Sequence, residues 1–452
     1  MSGTTSSRAE TRPGLLSRRY AATTGGLFAL CAFVAFEATA VSTIMPGVAA
    51  ELHGIGSYPL VFAAPLASGV VGMVGAGGWS DRRGAVGPLA AALVLFSAGL
   101  VGCGLAPSMQ LLIAARVVQG LGGGALTVCL YVLVGLMFPP ALRPAVFSSF
   151  AAAWILPTLF GPALAAYVAH TVGWRWVFLG VVALVAVAAG LVAPSLRGLA
   201  APAEPARFPL SRLGWAALGG AAALGLQLVG SRPGPVAALI VVAGALVLVA
   251  VRRLVPAGTL RAAAGLPAVI GTRALLSGAF FCGEAYIVFV LQQRWGLSAG
   301  VAGLALTGVG LSWSGASWGQ SRLSATVGDR TAMRCGSAGV LIGITGLALL
   351  VWVHAPAPLA VAAYVLAGAG MGFAYPRTSV AMLADSSDAD RGFNSAALSI
   401  ADALGGATTI AVSGAVFAAV GRTSGDPFVA ALGVGCCAGL LAVVAAGRTS
   451  AG

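Results

Sequence analysis

Of the twelve acidic residues in the chain, only Glu37, Glu284 and Asp402 fall well inside long apolar runs. An acid at the centre of a bilayer costs about 2.5 to 3.5 kcal/mol on the insertion scale, so each is expected to face protein or water. Burial disfavours the ionised carboxylate and a nearby guanidinium favours it. A carboxylate whose surroundings alternate between the two conditions takes up and releases a proton, which makes these three acids proton-handling candidates. Arg116 is the one arginine expected inside a span. The plainer alternative is that an acid only pairs with Arg116 or caps a helix end, since structural ion pairs also perturb ionisation. Phe33 lies one helical turn before Glu37 and Phe280 one turn before Glu284, so each aromatic shares a face with its acid. Phe33, Phe280 and Glu284 are therefore candidates for the wall of a substrate cavity, joined by Trp154, Tyr286 and Tyr375.

Composition says what must hold these residues. Of 452 residues, 59% are hydrophobic and 8% charged, and the mean hydropathy is +0.96; an ordinary soluble domain carries about 25% charge. A soluble enzyme and a disordered chain are excluded. At about 20 apolar residues per crossing, fourteen crossings use roughly 280 residues and leave short loops and one linker. All 25 basic residues are arginine, so a GxxxxGK[ST] phosphate loop cannot form, and any pumping must draw on an ion gradient. Gly122, Gly123 and Gly124 sit within an apolar run, where small residues let helices approach closely. Arginine in place of lysine, with abundant Ala and Gly, suggests a GC-rich bacterial genome. The net charge of +13 would suggest nucleic acid in a soluble protein, but here the arginines fall between apolar runs, as the positive-inside rule requires. Neither the cysteines nor the histidines have metal-ligand spacing, so no metal, no cofactor and no nucleic-acid partner is expected; the partners are a small molecule, protons and the lipid bilayer, with the chain working as a monomer.

Apolar segments run at 22–50, 58–79, 86–106, 109–138, 143–170 and 175–194, then two short ones at 213–230 and 235–251, then six more at 265–293, 298–325, 332–353, 356–384, 391–420 and 427–447. The organisation expected is an N-terminal tail (1–20), a six-helix bundle (21–195), a Pro-rich linker (196–212), two inserted helices and a loop (213–264), a second six-helix bundle (265–447) and a short tail (448–452). The polar start followed by a run of nearly thirty apolar residues is too long for a secretory h-region. With both middle segments spanning, 20 of the 25 arginines fall on the side of the N-terminus, Arg273 and Arg377 among them, which places both termini in the cytoplasm of a plasma-membrane protein. Phe33 and Glu37 recur as Phe280 and Glu284 at an offset of 247, and Asp81-Arg82 recurs as Asp329-Arg330 at 248. Two halves with even helix counts are expected to be related by an axis along the membrane normal.

Several motifs converge on one resemblance. Phe36-Glu37-Ala38-Thr39-Ala40-Val41-Ser42-Thr43-Ile44-Met45-Pro46 resembles the first-helix signature of the fourteen-helix drug:proton antiporters of the major facilitator superfamily, with Glu where that family usually has Asp. Gly77-Gly78-Trp79-Ser80-Asp81-Arg82-Arg83-Gly84 resembles the superfamily's GxxxDRxGRR cytoplasmic loop. Its last two arginines are replaced by Ala85 and Val86. Arg116-Val117-Val118-Gln119-Gly120 resembles the RxxQG motif, and Gly173-Trp174-Arg175-Trp176-Val177-Phe178 a motif opening the sixth helix. Gly161-Pro162 matches the core of the fifth-helix antiporter signature, while Pro157, Ala165 and Ala166 stand where glycines are expected. The resemblance implies two six-helix bundles of the major facilitator fold with two extra central helices, proton coupling through Arg116 and the membrane acids, and a cytoplasmic gate at Asp81, Arg82 and Gly84. It implies a proton-coupled exporter of small, largely apolar molecules such as drugs, antibiotics or natural products, and no enzyme. A proton-linked importer or lipid translocator on the same fold is the alternative. A non-transporting receptor or scaffold is a third possibility, but such a protein needs no membrane acids and usually adds a soluble domain.

Overall fold

The computed structural model describes residues 17, 20–139, 142–197, 199, 210–230, 237–323, 326–387, 390–423 and 425–450. The tail expected at 1–20 and the linker at 196–212 lie mostly outside these residues, and the tail at 448–452 partly so. The described residues form fourteen α-helices: α1 (Ala21–Glu51), α2 (Tyr58–Arg83), α3 (Val86–Leu105), α4 (Met109–Met137), α5 (Arg143–Thr171), α6 (Arg175–Leu196), α7 (Leu210–Gly230), α8 (Ala237–Leu254), α9 (Leu266–Trp295), α10 (Ala299–Arg322), α11 (Asp329–Trp352), α12 (Ala357–Ala384), α13 (Arg391–Val420) and α14 (Pro427–Ala446). Each expected apolar segment is a helix whose ends fall within four residues of the sequence boundaries.

Local signals set several of those ends. Ser108 and Ser298 each accept from a backbone N–H three residues on, and the Asp426 carboxylate accepts from Phe428 and Val429, the usual way of satisfying a helix's first free donors. Gly84 turns the chain from α2 into α3 at φ 83°, a left-handed conformation that suits a residue without Cβ. Among the described residues, twelve helices are long and apolar enough to cross a membrane. The central pair, α7 and α8, has 21 and 18 residues.

α1 to α6 pack together as one half and α9 to α14 as the other. Glycine-mediated contacts repeat between them in register. Gly120 of α4 packs on Pro65 of α2, and Gly368 of α12 on Ser312 of α10; Gly99 of α3 packs on Gln119, and Gly343 of α11 on Ala367. Such contacts tolerate no added volume. Gly124 of α4 lies against the backbone of Gly69, whereas a Cβ on Gly135 of the same helix meets nothing within 4 Å. Gly124→Val is therefore expected to lower the Tm of the purified protein, the overpacking costing about 1 to 3 kcal/mol, while Gly135→Ala leaves it unchanged. Equal melting of the two variants would contradict this packing.

The halves meet through α2 with α13, α5 with α10, and α1 with α9 and α10. α7 leans on both, its Trp215 and Ala216 packing among Val70 and Met73 of α2 and Ile400, Ala403 and Leu404 of α13. The two ends of the bundle differ. One end, here called the basic end, bears Arg82, Arg83, Arg252, Arg253 and Arg322 at the last turns of α2, α8 and α10. The opposite, far end is closed by aromatic packing: Tyr58 at the start of α2 lies 4.5 Å from Phe289, and Phe417 lies 5.5 Å from Tyr286 and 5.2 Å from Phe428 between ring centroids. Towards the same end α5 and α10 touch at Gly303–Pro162 and Gly300–Ala166.

Candidate functional site

Two of the five carboxylate–guanidinium pairs among the described residues join Glu37 and Asp402, acids expected inside the membrane, to arginines on other helices, one pair in each half. In the first, Glu37 of α1 pairs with Arg116 of α4, and Arg116 also donates to Gln119 at 2.6 Å and to the Val61 carbonyl of α2 at 3.1 Å. Both side chains are closed off, at 9% and 5% exposure. The RxxQG spacing explains this geometry: Arg116 and Gln119 are three residues apart and share a helix face, so one amide oxygen holds the guanidinium whether or not the carboxylate is charged. Gly120, next along, lets α4 meet α2 closely enough for Arg116 to reach Val61.

The second pair joins Asp402 of α13 to Arg273 of α9 at 2.9 Å. Arg273 donates further to the Tyr375 carbonyl at 3.1 Å and to the Thr378 and Ser379 hydroxyls at 2.8 and 3.3 Å, and its guanidinium lies 3.1 Å from the Tyr375 ring centroid. Asp402 accepts from Ser277 and from the Tyr375 hydroxyl. The Asp402 side chain keeps 21% exposure against 9% for Glu37, so it is the more open acid in this conformation.

Arg273 corrects the expectation that Arg116 is the one arginine inside a span. It was counted with the loop arginines, but it is buried as the eighth residue of α9, about 10 Å along the helix at 1.5 Å per residue. Arg377, counted with the same group, is buried in α12 and pairs with Asp329 at 2.6 Å. Arg116 is therefore not the sole arginine inside the bundle. The signal for both was their place inside apolar runs, Arg273 within 265–293 and Arg377 within 356–384, and for Arg273 also the need of Asp402 for a counter-charge.

Glu284 of α9 belongs to neither pair. It accepts from Ser42 of α1, in the other half, at 3.4 Å. Below it an aromatic series runs along the second half: Tyr364 stacks on Phe280 at 5.5 Å, Trp313 meets Phe280 edge-on at 5.1 Å, and Tyr375 meets Trp313 at 5.3 Å. Phe33, Glu284 and Tyr375 are half-buried and Trp154 is exposed. Phe280 is buried within the series, and Tyr286 is fully buried in the far-end cluster against Phe417; in this conformation Tyr286 packs the closure rather than lining a cavity. Gly161 sits against Thr39 and Phe36 of α1, and Pro162 against Gly303 of α10, so the fifth-helix motif lies where α1, α5 and α10 converge. Asp81 and Arg82 are exposed at the basic end and form no ion pair among the described residues, with Gly84 just beyond them.

Two pseudo-symmetric helical halves around buried charge pairs, in a chain of membrane-length apolar helices, define a polytopic membrane transporter. The family profile of the Major Facilitator Superfamily matches residues 27–313; the chain belongs to that superfamily. It is 33% identical over 144 residues to "Multidrug resistance protein 3" of Bacillus subtilis (strain 168), a stretch covering 32% of this chain and 28% of that protein. It is 27% identical over 412 residues to a Mycobacterium tuberculosis protein named as a probable multidrug-efflux transporter, covering 87% and 86% of the two chains. Among solved structures, a POT family transporter bound to a thioalcohol-conjugated peptide aligns with a TM-score of 0.69 at 14% identity over 96% of both chains. The xylose transporter of E. coli, in a partially occluded inward-open conformation, aligns with a TM-score of 0.59 at 17% identity over 94% of this chain and 96% of that one. At these identities the structures speak to the fold, which is that of superfamily transporters.

Proposed function

We propose that the chain is a proton-coupled exporter of small, largely apolar molecules, working by alternating access as a monomer in the plasma membrane. In this reading all fourteen helices span, the basic end and both termini are cytoplasmic, and the form described is open towards the cytoplasm. The observation that carries it is the pair of buried acid–arginine contacts in which each arginine is also held by neutral groups. The acid can then be neutralised without stranding the guanidinium, so the proton-carrying partner is the carboxyl. Glu37 and Asp402 take the protons, Arg116 and Arg273 hold them in place, and Glu284 with the aromatic series and Phe33 forms the cavity wall. One proton crossing 100 mV supplies about 2.3 kcal/mol, enough for roughly a fiftyfold gradient of a neutral substrate at one-to-one exchange.

The test is transport of a compound panel by inside-out vesicles. Uptake that rises when the vesicle interior is made acid relative to the medium, so that protons leave as substrate enters, and that disappears with a protonophore is expected; accumulation indifferent to both excludes proton coupling. The gate at Asp81 and Arg82 has its own test. In the outward-open form these residues are expected to hold the halves together through charge-assisted hydrogen bonds; among the described residues they form no ion pair in the present one. Asp81→Asn should shift spectroscopic distances across the basic end towards the open population. An unchanged distribution would leave Asp81 as a helix-end charge.

A further inference from the structure

Four arginines gather where α14 ends, and the carboxylates beside them are engaged elsewhere. Arg330 of α11 donates to the Gly447 carbonyl at the foot of α14, and Arg448, the next residue, donates to the Arg261 carbonyl at 3.0 Å. Arg261 lies in the connection after α8, which is drawn in where the Gly265 N–H donates to the Arg448 carbonyl at 3.1 Å. Arg334 stands four residues after Arg330, hence on the same face of α11. Its Nε lies 4.0 Å from the position of a Cβ on Gly447. All four side chains are exposed, and among the described residues none of them forms an ion pair. Asp329, beside Arg330 in the chain, is taken by Arg377, and Asp385 accepts from Ser450 at 2.7 Å.

Like charges on one helix face repel, yet Arg330 and Arg448 are anchored by carbonyls, which fix their place without cancelling their charge. The positive-inside rule asks for arginines at this end but not for their convergence. Nor does the repeat reproduce the cluster: the offset of 248 carries Arg330 onto Arg82 but Arg334 onto Val86. Depth indicates what completes it. α14 has 20 residues, about 30 Å at 1.5 Å per residue, which matches the hydrocarbon core of a bilayer. The arginines at its end therefore sit at headgroup level. On the turns above them Leu440, Leu441 and Val444 of α14 and Ile342 of α11 are exposed, and the two helices run side by side with Gly439 against Leu341. A phosphate held at the arginines has apolar surface for acyl chains directly above it, which a soluble anion would leave unused.

We propose that this cluster binds the headgroup of an anionic phospholipid in the leaflet at the basic end, with its phosphate held by Arg261, Arg330, Arg334 and Arg448 and its acyl chains lying on α11 and α14. Guanidinium groups suit the task because their planar forks take phosphate oxygens two at a time. The lipid ties α11 and α14 to the α8–α9 connection, whichever way the protein transports.

The probes are tetraoleoyl cardiolipin, dioleoylphosphatidylcholine and pyrophosphate, with binding to the purified, delipidated full-length protein followed by native mass spectrometry. Cardiolipin should be held at least about tenfold more tightly than phosphatidylcholine. Arg330→Gln/Arg334→Gln should weaken cardiolipin about thirtyfold, at about fivefold for each basic side chain near an anionic headgroup, and leave phosphatidylcholine unaffected. Arg252→Gln/Arg253→Gln removes exposed arginines from the last turn of α8 and should leave cardiolipin binding unchanged. Equal weakening by both pairs reduces the cluster to generic surface charge and overturns the proposal, as do equal native affinities for the two lipids. Pyrophosphate binding that is lost in Arg330→Gln/Arg334→Gln while cardiolipin binding stays native makes the anion a soluble one and also overturns it. Should the α11 variant misfold, Arg448→Gln decides in its place, with an expected loss of about fivefold.

Discussion

Arg116→Lys is expected to abolish proton-driven transport while the protein still folds and reaches the membrane. Arg116 joins three helices at once: its Nε donates to Val61 of α2, and Nη1 serves both Gln119 of α4 and Glu37 of α1. A guanidinium is a planar fork whose donors point in fixed directions, whereas an ammonium is a compact point charge on a flexible stem. Lysine keeps the charge but cannot span Val61 and Glu37 together. Losing one hydrogen bond to a charged group corresponds to about 1.5 to 3 kcal/mol, or roughly a 10- to 150-fold loss if it is made only in the transition between states. The measurement is gradient-driven uptake normalised to monodisperse protein in the membrane. Wild-type rates in Arg116→Lys would reduce Arg116 to a generic positive charge, and the motif around it to helix packing.

Most of this architecture was legible from hydropathy because the bilayer leaves the backbone few choices: a spanning segment must satisfy its own hydrogen bonds, so apolar length translates into helix. The Glu37–Arg116 pair was legible in part, since an arginine in an apolar run must find a partner and Glu37 was one of three acids available. Arg273 was missed because counting arginines by side treats the first turns of a helix as part of the loop before it, and eight residues into α9 is already deep in the bundle. The seating of α7 against both α2 and α13 was not legible at all. Hydropathy says that a segment enters the membrane; its neighbours there are decided by side-chain shape. Tyr286 shows the same limit from the other direction, because the sequence placed it two residues beyond Glu284 but could not tell that its face packs on Phe417.

The two acid–arginine pairs can be separated into structural and proton-carrying parts by comparing single with double neutralisation. Breaking a buried pair by removing one member leaves an uncompensated charge and typically costs about 3 to 5 kcal/mol, whereas replacing both members by neutral groups is often close to neutral. Glu37→Gln leaves Arg116 with Gln119 and the Val61 carbonyl. Asp402→Asn leaves Arg273 with the Tyr375 carbonyl, two hydroxyls and the Tyr375 ring. Glu37→Gln should therefore lower Tm more than Asp402→Asn. The doubles Glu37→Gln/Arg116→Gln and Asp402→Asn/Arg273→Gln should recover much of the lost Tm. Transport should not follow stability: if the carboxyls carry the protons, both doubles remain without gradient-driven uptake of any substrate, although equilibrium substrate binding persists. Glu284→Gln should give the opposite pattern, with changed substrate preference and coupling retained. A double variant that regains proton-driven uptake along with its Tm would make that pair a structural clamp, and the proton would have to travel through the other.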